Sequence, residues 1–277
     1  MNRSDNGLDL LPRLHETRAA FDSVADEYDG DRGNNAAIQD MRSEMWRWLD
    51  ATFTPGSRLI DLGCGTGLDA VRMAQLGHRV TATDWSPEMV RRTGERARSE
   101  GLTERLQPLN VGAHELQRLG NQGTYDGAYS NLGALNCVPE LADVSRQCAR
   151  LLKPAGLLVF TVIGRICPWE AGYYLLQRRW SRVRMRYARG MVPVNLNQHT
   201  VWARYYGPRE FYRAFRPHFH LAHYRGVCIF VPPPYLLWLR ERHREWYQRL
   251  WRIDRRFAGW PGLRAIGDHF LIVMRKR

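Results

Sequence analysis

The chain has 277 residues, of which 44% are hydrophobic and 25% are charged, and this is enough apolar content to bury the core of one large domain. No stretch approaches the roughly 18 uninterrupted apolar residues of a membrane-spanning helix, and the N-terminal segment lacks the charged-then-apolar pattern of a signal peptide. These features argue against an integral membrane protein and predict a soluble, cytoplasmic one.

The net charge of +13 is concentrated in the second half of the chain. Residues 1–150 carry 17 basic and 22 acidic side chains, a net −5, whereas residues 151–277 carry 24 and 6, a net +18. A basic half indicates an anionic partner, such as a nucleic acid, a membrane surface or an acidic substrate. Nearly all the basic residues are arginine. A coding bias towards arginine is therefore as good an explanation of the positive charge as a functional role is.

The five cysteines are scattered along the chain and show no C-x-x-C spacing; they are Cys64, Cys137, Cys148, Cys167 and Cys228. Neither a metal site nor a disulfide framework is indicated by such spacing, so buried free thiols are expected.

Helical and strand patterns alternate over the first 165 residues. Amphipathic helices are predicted at 13–29 and 36–52. Short apolar strands, with helical stretches between them, are predicted at 58–61, 78–84, 105–110, 125–130 and 156–163. Alternation of this kind predicts a parallel sheet with crossover helices.

After residue 163 the alternation is less regular. The predicted elements are an aromatic, arginine-rich helix at 169–189, a polar loop at 190–200, a strand at 201–206, a helix at 208–215, a strand at 218–231, a long basic helix after the prolines at 232–234, and a final strand at 269–276. Apolar residues recur at steps of three and four in both basic helices, at Trp169, Tyr173, Leu176, Trp180, Val183 and Tyr187, and at Leu236, Leu239, His243, Trp246, Leu250, Ile253 and Phe257.

The first predicted strand runs into a glycine-rich turn, LIDLGCGTGLDA, at residues 59–70. Glycines have no Cβ, so a ligand can lie against the backbone of such a turn, and the amides at the start of the next helix favour a partial negative charge there. The turn therefore predicts a nucleotide or nucleoside site. Leu68 stands where a dinucleotide fingerprint would have its third glycine, and the G-K-[ST] of a phosphate loop is absent.

The spacing D-x-G-x-G-x-G, from Asp61 through Gly63, Gly65 and Gly67, resembles the class I S-adenosylmethionine-dependent methyltransferases of the small-molecule type. In that pattern a second strand ends in an acid about twenty residues later, where HRVTATD supplies Asp84. The segments YDGAYSNLGALNCV and RLLKPAGLLVFTV are similar to the fourth and fifth strands of the family with their adjoining turns. The resemblance implies an α/β fold, a doubly wound, seven-stranded, mostly parallel Rossmann-like sheet.

The resemblance covers residues 15–165 well and the last two strands more loosely. It implies a cofactor-binding core at 1–165 and an acceptor-side region at 166–277, which also supplies the last two strands of the sheet. Helical insertions after the fifth and sixth strands, at about 166–200 and 232–262, are expected to form a lid over the acceptor pocket.

The resemblance also implies which residues contact S-adenosylmethionine. Asp84 would accept hydrogen bonds from the ribose hydroxyls, the ring of Trp85 would pack on adenine, and Tyr28 would border the methionine end. At the third strand the acid that the family often carries is missing, and residues 112–114 occupy the adenine edge. The expected contacts are Tyr28, Asp61, Gly63, Cys64, Gly65, Gly67, Asp84, Trp85, Gly112, Ala113, His114, Ser130 and Asn131. A purely structural role is the alternative to cofactor binding for three of these residues. Asp61 and Asp84 would then cap a turn, and Trp85 would pack in the core.

The sulfonium methyl of this cofactor is already activated, so the protein chiefly aligns a nucleophile and excludes water. An oxygen or nitrogen nucleophile that still carries its proton requires a general base to remove it. The candidates are Asn131, as a residue that orients the substrate, and His199, His269 or His114, as the base. Turn formation is the alternative role for Asn131, and solvation on a loop is the alternative for the histidines.

Two classes of function remain open. The first is methylation of a small molecule, lipophilic or aromatic, at oxygen, nitrogen or carbon. The second is an RNA-directed methyltransferase, or an RNA-binding protein, that uses the basic half. The scarcity of lysine, the aromatic setting of the arginines and the absence of an N-P-P-Y turn after the fourth strand favour the first. Peripheral membrane contact through the basic amphipathic helices is a further expectation.

Overall fold

The structure, a computed structural model, describes residues 10–30, 33–120 and 122–277. The first nine residues of the N-terminal segment, from which the absence of a signal peptide was inferred, lie outside the described residues. Within the described ranges, every helix is too short or too polar to cross a membrane. The five cysteines are free, and four of them are buried.

Seven strands form one sheet in the order β3, β2, β1, β4, β5, β9, β8, and β6 pairs with β7 in a separate hairpin. The strands are β1 (Arg58–Leu62), β2 (Arg79–Asp84), β3 (Leu106–Asn110), β4 (Tyr125–Ser130), β5 (Leu152–Ile163), β6 (Val192–Leu196), β7 (His199–Ala203), β8 (Phe219–Val227) and β9 (His269–Lys276). Strands β1 to β5 are parallel, and β9 is antiparallel to both of its neighbours. The predicted seven-stranded, mostly parallel Rossmann-like sheet is confirmed.

The strand order reverses between β1 and β4. From β1 the chain continues to β2 and β3 on one side, whereas β4 and β5 lie on the other. Crossover helices on either side of such a point diverge, so a crevice forms beyond the carboxyl ends of the strands. The fold thereby places the turns after β1, β2 and β4 around one opening.

The helices cover both faces of this sheet. They are α1 (Leu10–Val24), α2 (Ala36–Thr52), α3 (Leu68–Gln75), α4 (Pro87–Ser99), α5 (Leu141–Leu151), α6 (Pro168–Leu176), α7 (Trp180–Met185), α8 (Pro208–Phe215), α9 (Leu237–Arg242) and α10 (Arg244–Phe257). Adjacent residues of β5 point to opposite faces of the sheet. Phe160 packs with α5 and α8 on one face, and Val159 packs in the cluster with residues of α2, α3 and α10 on the other.

Residues 190–200 were predicted as a polar loop, and this prediction is wrong. They contain β6 and the start of β7, which are joined at Asn197 and Gln198. Both turn residues have positive φ, 47° and 71°, as a tight two-residue hairpin requires. Neither residue is glycine, so the usual sequence signal of such a turn is absent. The insertion after the fifth strand is therefore part hairpin rather than wholly helical.

The two long basic helices that the sequence predicted are each broken. Residues 169–189 form α6 and α7, separated at Arg178, whose φ of 55° is incompatible with a continuing helix. The helix predicted after the prolines is divided into α9 and α10 at His243, which has φ −132° and ψ 55°.

The apolar stripes predicted on these helices are largely exposed. Leu176 is 88% exposed and Trp180 is 60% exposed. On α10 the buried residues are Tyr247, Trp251 and Asp254, which lie one position away from the predicted stripe. Apart from Leu236, which is buried, these stripes therefore do not form the buried faces of their helices.

Arg186, just after α7, attaches this insertion to the sheet. Its guanidinium donates to the carbonyl of Gly164, to Glu170 of α6 and to the carboxylate of Asp268, at 2.6 Å in the last two cases. Burial raises the pKa of Asp268, but the charges of Arg186 and His269 outweigh burial and hold that pKa below its usual value. The insertion is thus anchored by a buried, multiply hydrogen-bonded ion pair.

Arg186→Leu should lower the free energy of unfolding by about 3–5 kcal/mol, because it leaves buried carboxylates without their cation. Arg184→Leu, an exposed neighbour, is the matched control and should change little. Since the pKa of Asp268 is depressed in the folded state, this stabilisation is present above about pH 4, the value for unfolded aspartate, and is lost as the pH falls. Urea unfolding from pH 7 down to pH 3 measures both effects; equal stability of the two variants would contradict the assignment.

Candidate functional site

A cavity of about 260 Å³ opens at the carboxyl ends of the central strands. Its floor comes from the turns after β1, β2, β3 and β4, and its walls come from α1, α2 and the β6–β7 hairpin. The lining is mainly apolar, with a few polar groups, including Arg42, Asp69 and Asp84, in its walls. Concave sites of this composition at a strand-order reversal are where α/β proteins bind small ligands.

The three glycines of the turn after β1 have different roles. All have positive φ: 74° at Gly63, 55° at Gly65 and 85° at Gly67. A Cβ on Gly63 would overlap the Cβ of Ala134, and one on Gly67 would lie 2.8 Å from Thr93, so these two glycines allow close packing. A Cβ on Gly65 would meet only a ring carbon of Tyr28, at 3.9 Å. Gly65 is therefore the glycine that leaves bare backbone at the cavity.

Asp84, the last residue of β2, holds this turn in place. Its Oδ2 accepts the amide N–H of Gly65 at 2.9 Å, and its Oδ1 accepts the N–H of Ser86 at 2.9 Å. Burial raises the pKa of Asp84, whereas these two backbone hydrogen bonds lower it. Each carboxylate oxygen can accept a further hydrogen bond, so Asp84 can also bind hydroxyl groups of a ligand.

A second buried carboxylate, Asp69 in the first turn of α3, gathers three donors. Arg42 of α2 donates to its Oδ2 at 2.6 Å, Trp46 donates to its Oδ1 at 2.6 Å, and Asn131 donates to its Oδ2 at 3.1 Å. The Oδ1 of Asn131 accepts from Thr161 at 2.7 Å, so this amide is fully engaged in fixing the turn after β4. Arg42, Asp69 and Asn131 all line the cavity.

Sequence reasoning missed Arg42 and Asp69. The available signal was an arginine between the core residues Met41 and Met45 of a predicted amphipathic helix, since an arginine so placed needs a partner. The Nε of Arg42 is buried and has no hydrogen-bond partner among the described residues. Arg42 therefore lies in the cavity wall with one buried N–H group unsatisfied.

Aromatic side chains form one end of the cavity. The ring of Trp85 contacts His114 edge-on at 4.7 Å between centroids and lies 5.4 Å from His15. Gly112 permits the first contact, because a Cβ there would lie 2.5 Å from His114 and 3.1 Å from Trp85. Burial lowers the pKa of His114, which favours the neutral imidazole. The indole of Trp85, which His114 contacts edge-on and which has the guanidinium of Arg18 5.7 Å from its centroid, is an aromatic group suited to contact a planar ring.

Helix α1 and the β6–β7 hairpin close the cavity from above. The N–H of Trp202 donates to the hydroxyl of Thr17 at 3.0 Å, and its indole donates to Glu16 at 2.7 Å. Val194 and Val201 of the hairpin line the cavity. Val194 belongs to the first of the two segments predicted as a lid, 166–200, whereas no described residue at 166–189 or 232–262 lines the cavity.

Most of the residues expected to contact the cofactor lie together. Those that line the cavity are Tyr28, Gly63, Cys64, Gly65, Asp84, Trp85, Ala113, His114 and Asn131. Asp61, Gly67, Gly112 and Ser130 lie behind it. Ser130 donates to the carbonyl of Leu62 at 2.7 Å, and Asp61 is 1% exposed, with its pKa raised by burial and by the charge of Asp69. These two act on the shape of the turn and do not reach the cavity.

The structure does not bring His199 or His269 to the cavity. His199 is exposed at the start of β7. His269 is buried, and its Nδ1 lies 2.9 Å from Asp268 in the ion-pair cluster of Arg186. Neither histidine is placed to act as a base on a molecule in the cavity, because the hairpin turn and the sheet register direct them elsewhere.

The central part of the chain matches a known family. Residues 59–156 match the family described as "Methyltransferase domain". The chain is 39% identical over 111 residues to a ubiquinone biosynthesis O-methyltransferase of Xanthomonas oryzae, an alignment that covers 40% of this chain and 44% of that protein. The chain thus spans about half the length of the curated relatives it matches.

Two solved structures share the fold over most of the chain. One is the 1,6-didemethyltoxoflavin-N1-methyltransferase of Burkholderia thailandensis, with bound 1,6-didemethyltoxoflavin and S-adenosylhomocysteine, at TM-score 0.58 and 17% identity over 100% of this chain and 92% of that one. The other is the geranyl diphosphate C-methyltransferase of Streptomyces coelicolor, at TM-score 0.59 and 15% identity over 96% and 98%. The chain has the class I methyltransferase fold.

Gly63→Ala should destabilise the protein more than Gly77→Ala does. Both glycines have left-handed backbone, φ 74° and 91°, so alanine costs about 1–2 kcal/mol at either position. Only at Gly63 does the added Cβ also meet a neighbour, Ala134, and overpacking of this kind adds about 1–3 kcal/mol. Thermal or urea unfolding measures the difference, and equal losses in the two variants would show that the turn after β1 is not packed against the turn after β4.

Proposed function

We propose that this protein is an S-adenosylmethionine-dependent methyltransferase that acts on a small, largely apolar molecule. The observation that carries the proposal is the bare backbone at Gly65, which Asp84 fixes at the mouth of a cavity within a methyltransferase domain. A bound cofactor supplies a methyl group on a positively charged sulfur, which needs no further activation by the protein.

The residues present at the cavity fit this cofactor. Asp84 has lone pairs left for the two ribose hydroxyls, and the backbone at Gly65 lets the methionine portion lie close. Trp85 and His114 offer an uncharged aromatic contact to adenine. Residues 112–114 would border the adenine in place of the acid that related enzymes often carry at this strand.

Arg42 would bind the carboxylate of the methionine portion. It lines the cavity, its Nη1 is held by Asp69 at 2.6 Å, and its Nε has no partner among the described residues. An arginine that is positioned by one carboxylate and still offers donors is well suited to bind another one. Tyr28 lies beside Gly65 and would close this end; burial raises the pKa of its hydroxyl, which keeps it neutral.

The acceptor would occupy the part of the cavity under α1 and the hairpin. Leu14, Phe21, Ile163, Val194 and Val201 line it, which suits an apolar ring or chain. Water excluded by these side chains cannot compete for the methyl group.

The titratable groups that line the cavity near the hairpin are poor bases. Burial raises the pKa of both Cys137 and Tyr205 to about 12, so each stays protonated at neutral pH and can donate a hydrogen bond but not accept a proton. The acceptor should therefore be a group acidic enough to ionise in water near neutral pH, such as an enol or an acidic phenol, because an ordinary phenol has a pKa of about 10. The similarity to a ubiquinone biosynthesis O-methyltransferase of Xanthomonas oryzae is compatible with an oxygen acceptor.

An RNA acceptor is not favoured. The arginines that line the cavity are Arg18 and Arg42, and Arg42 is paired with Asp69. The similar proteins named above are methyltransferases of small molecules. The basic half of the chain needs another explanation.

Asp84→Ala should weaken binding of S-adenosylhomocysteine by about 1.5–3 kcal/mol, through loss of a charge-assisted hydrogen bond. Trp85→Ala should weaken it by about 0.5–1.5 kcal/mol, through loss of ring packing. Asp143→Ala, an exposed carboxylate on α5, is the matched control and should bind as wild type does. Isothermal titration calorimetry measures all three.

The proposal fails if wild-type protein does not bind S-adenosylhomocysteine at millimolar concentration. If Trp85→Ala instead lowers the free energy of unfolding by about 3–5 kcal/mol and leaves binding unchanged, the tryptophan is a core residue.

Val194→Glu should weaken methylation of apolar phenols and leave cofactor binding intact. The unpaired carboxylate at this half-buried position should reduce kcat/KM at least about tenfold, because an apolar acceptor cannot solvate it. Asn195→Glu places the same charge on the exposed face of β6 and is the control. Transfer of labelled methyl groups to a panel of alkyl phenols, with calorimetry of S-adenosylhomocysteine alongside, distinguishes a lost acceptor site from a lost cofactor site. Equal turnover by the two variants would place the acceptor elsewhere.

A further inference from the structure

The helices that were expected to cover the cavity expose apolar side chains instead. On α6 and α7, Leu175 is 41%, Leu176 is 88% and Trp180 is 60% exposed. Near α9 and α10, Tyr235 is 46%, Trp238 is 56% and Trp246 is 41% exposed. Large apolar side chains grouped in this way on a protein surface mark a contact with a partner or a membrane.

These side chains are gathered around one groove. A cleft of about 390 Å³ runs between α6 and the segment that contains α9, and Trp169, Tyr173 and Leu176 line one wall while Leu236 and Trp238 line the other. The ring of Tyr173 lies 6.0 Å from Tyr235, and the ring of Trp169 lies 6.4 Å from Trp246. The two insertions therefore form one continuous aromatic surface, separate from the cavity at the strand ends.

Arginines without acidic partners surround this surface. Arg178, Arg179, Arg182 and Arg184 near α7, and Arg242 and Arg252 on α9 and α10, are exposed, and no Asp or Glu of the described residues lies within ion-pair distance of them. In the first half of the chain many arginines are paired, as Arg91 is with Asp26, Glu88 and Glu95. We call the exposed residues at 168–185 and 235–257 the aromatic–arginine surface.

We propose that the aromatic–arginine surface binds the face of an anionic phospholipid bilayer. Tryptophan and leucine side chains at the groove would enter the boundary between head groups and acyl chains, and the surrounding arginines would contact lipid phosphates. The groove offers space for an acyl chain, since its walls are almost entirely apolar. This inference goes beyond the proposed methyl transfer and does not depend on it.

The charge pattern distinguishes a bilayer from other partners. A second copy of the chain docked through the same surface would place arginine against arginine. A nucleic acid would neutralise the arginines but would leave Leu176 and Trp238 against water or phosphate. An anionic bilayer is the partner whose charge and apolar interior match both sets of side chains.

The surface is rigidly attached to the catalytic part of the fold. Arg186 joins Glu170 of α6 to Asp268 at the start of β9, and its guanidinium lies 5.1 Å from the ring centroid of Tyr205, which lines the cavity. Asp254 of α10 accepts the backbone N–H of Ile229 at 3.1 Å and that of Phe230 at 3.0 Å. Docking on a bilayer would therefore hold the whole domain in a fixed orientation.

Flotation of the full chain with vesicles tests this directly. Wild type should partition into vesicles that contain phosphatidylglycerol at least about tenfold more strongly than into pure phosphatidylcholine vesicles. Leu176→Asp should reduce that partitioning at least about tenfold, while Leu76→Asp, an exposed leucine after α3, should not. Arg178→Glu combined with Arg182→Glu should reduce it by a similar factor, and Arg98→Glu with Arg105→Glu on the opposite edge of the sheet should have a much smaller effect.

Thermal unfolding and binding of S-adenosylhomocysteine by every variant show that the fold is retained, and Leu176 is exposed enough for its replacement to be tolerated. Equal partitioning into both kinds of vesicle, or an unchanged Leu176→Asp, overturns the proposal. Tight, salt-sensitive RNA binding that is lost with Arg178→Glu and Arg182→Glu, in the absence of vesicle binding, assigns the surface to nucleic acid. Dimerisation that Leu176→Asp abolishes, again without vesicle binding, assigns it to a second copy.

Discussion

The hydrogen bond from the amide of Gly65 to the carboxylate of Asp84 is the constraint on which the site depends. It joins the turn after β1 to the end of β2, two points that parallel pairing already brings to the same edge of the sheet. The bond can form only because Gly65 adopts a left-handed backbone, and the close packing at Gly63 and Gly67 holds the turn on either side. A rigid, bare turn beside a carboxylate is what allows this edge of the sheet to bind a ligand.

Buried carboxylates connect distant parts of the chain throughout the molecule. Asp69 ties α2 to the turn after β4, Asp268 ties the α6–α7 segment to β9, and Asp254 ties α10 to the segment after β8. Each of them accepts two or more hydrogen bonds, which offsets the cost of removing its charge from water. The second half of the chain has only six acidic side chains, and because Glu170, Asp254 and Asp268 are used inside the fold, most arginines of the insertions have no acid nearby. Positive charge is thus concentrated at the surface because half of the few acidic side chains are held in hydrogen bonds within the fold.

The two regions of interest have different physical character. The cavity is mainly apolar and holds its few polar groups in fixed hydrogen bonds. The aromatic–arginine surface is open, and most of its arginines have no acidic partner among the described residues, although Arg240, Arg249 and Arg255 do. Since the same insertion supplies the hairpin residues Val194 and Val201 to the cavity and α6 to the surface, both regions depend on the anchoring of this segment by Arg186.

The sequence by itself determined the sheet and the position of the binding turn, because strand periodicity and positive-φ glycines are local properties. Boundaries such as Ala36–Thr52 and His269–Lys276 agree with the predicted ones for the same reason. The role of Arg42, the hairpin at Asn197 and the exposure of Leu176 were decided only by tertiary structure. The partner of a buried charged residue is distant in sequence, and a hairpin turn without glycine has no strong local signal. An apolar stripe at helical spacing does not indicate whether a neighbouring element covers it.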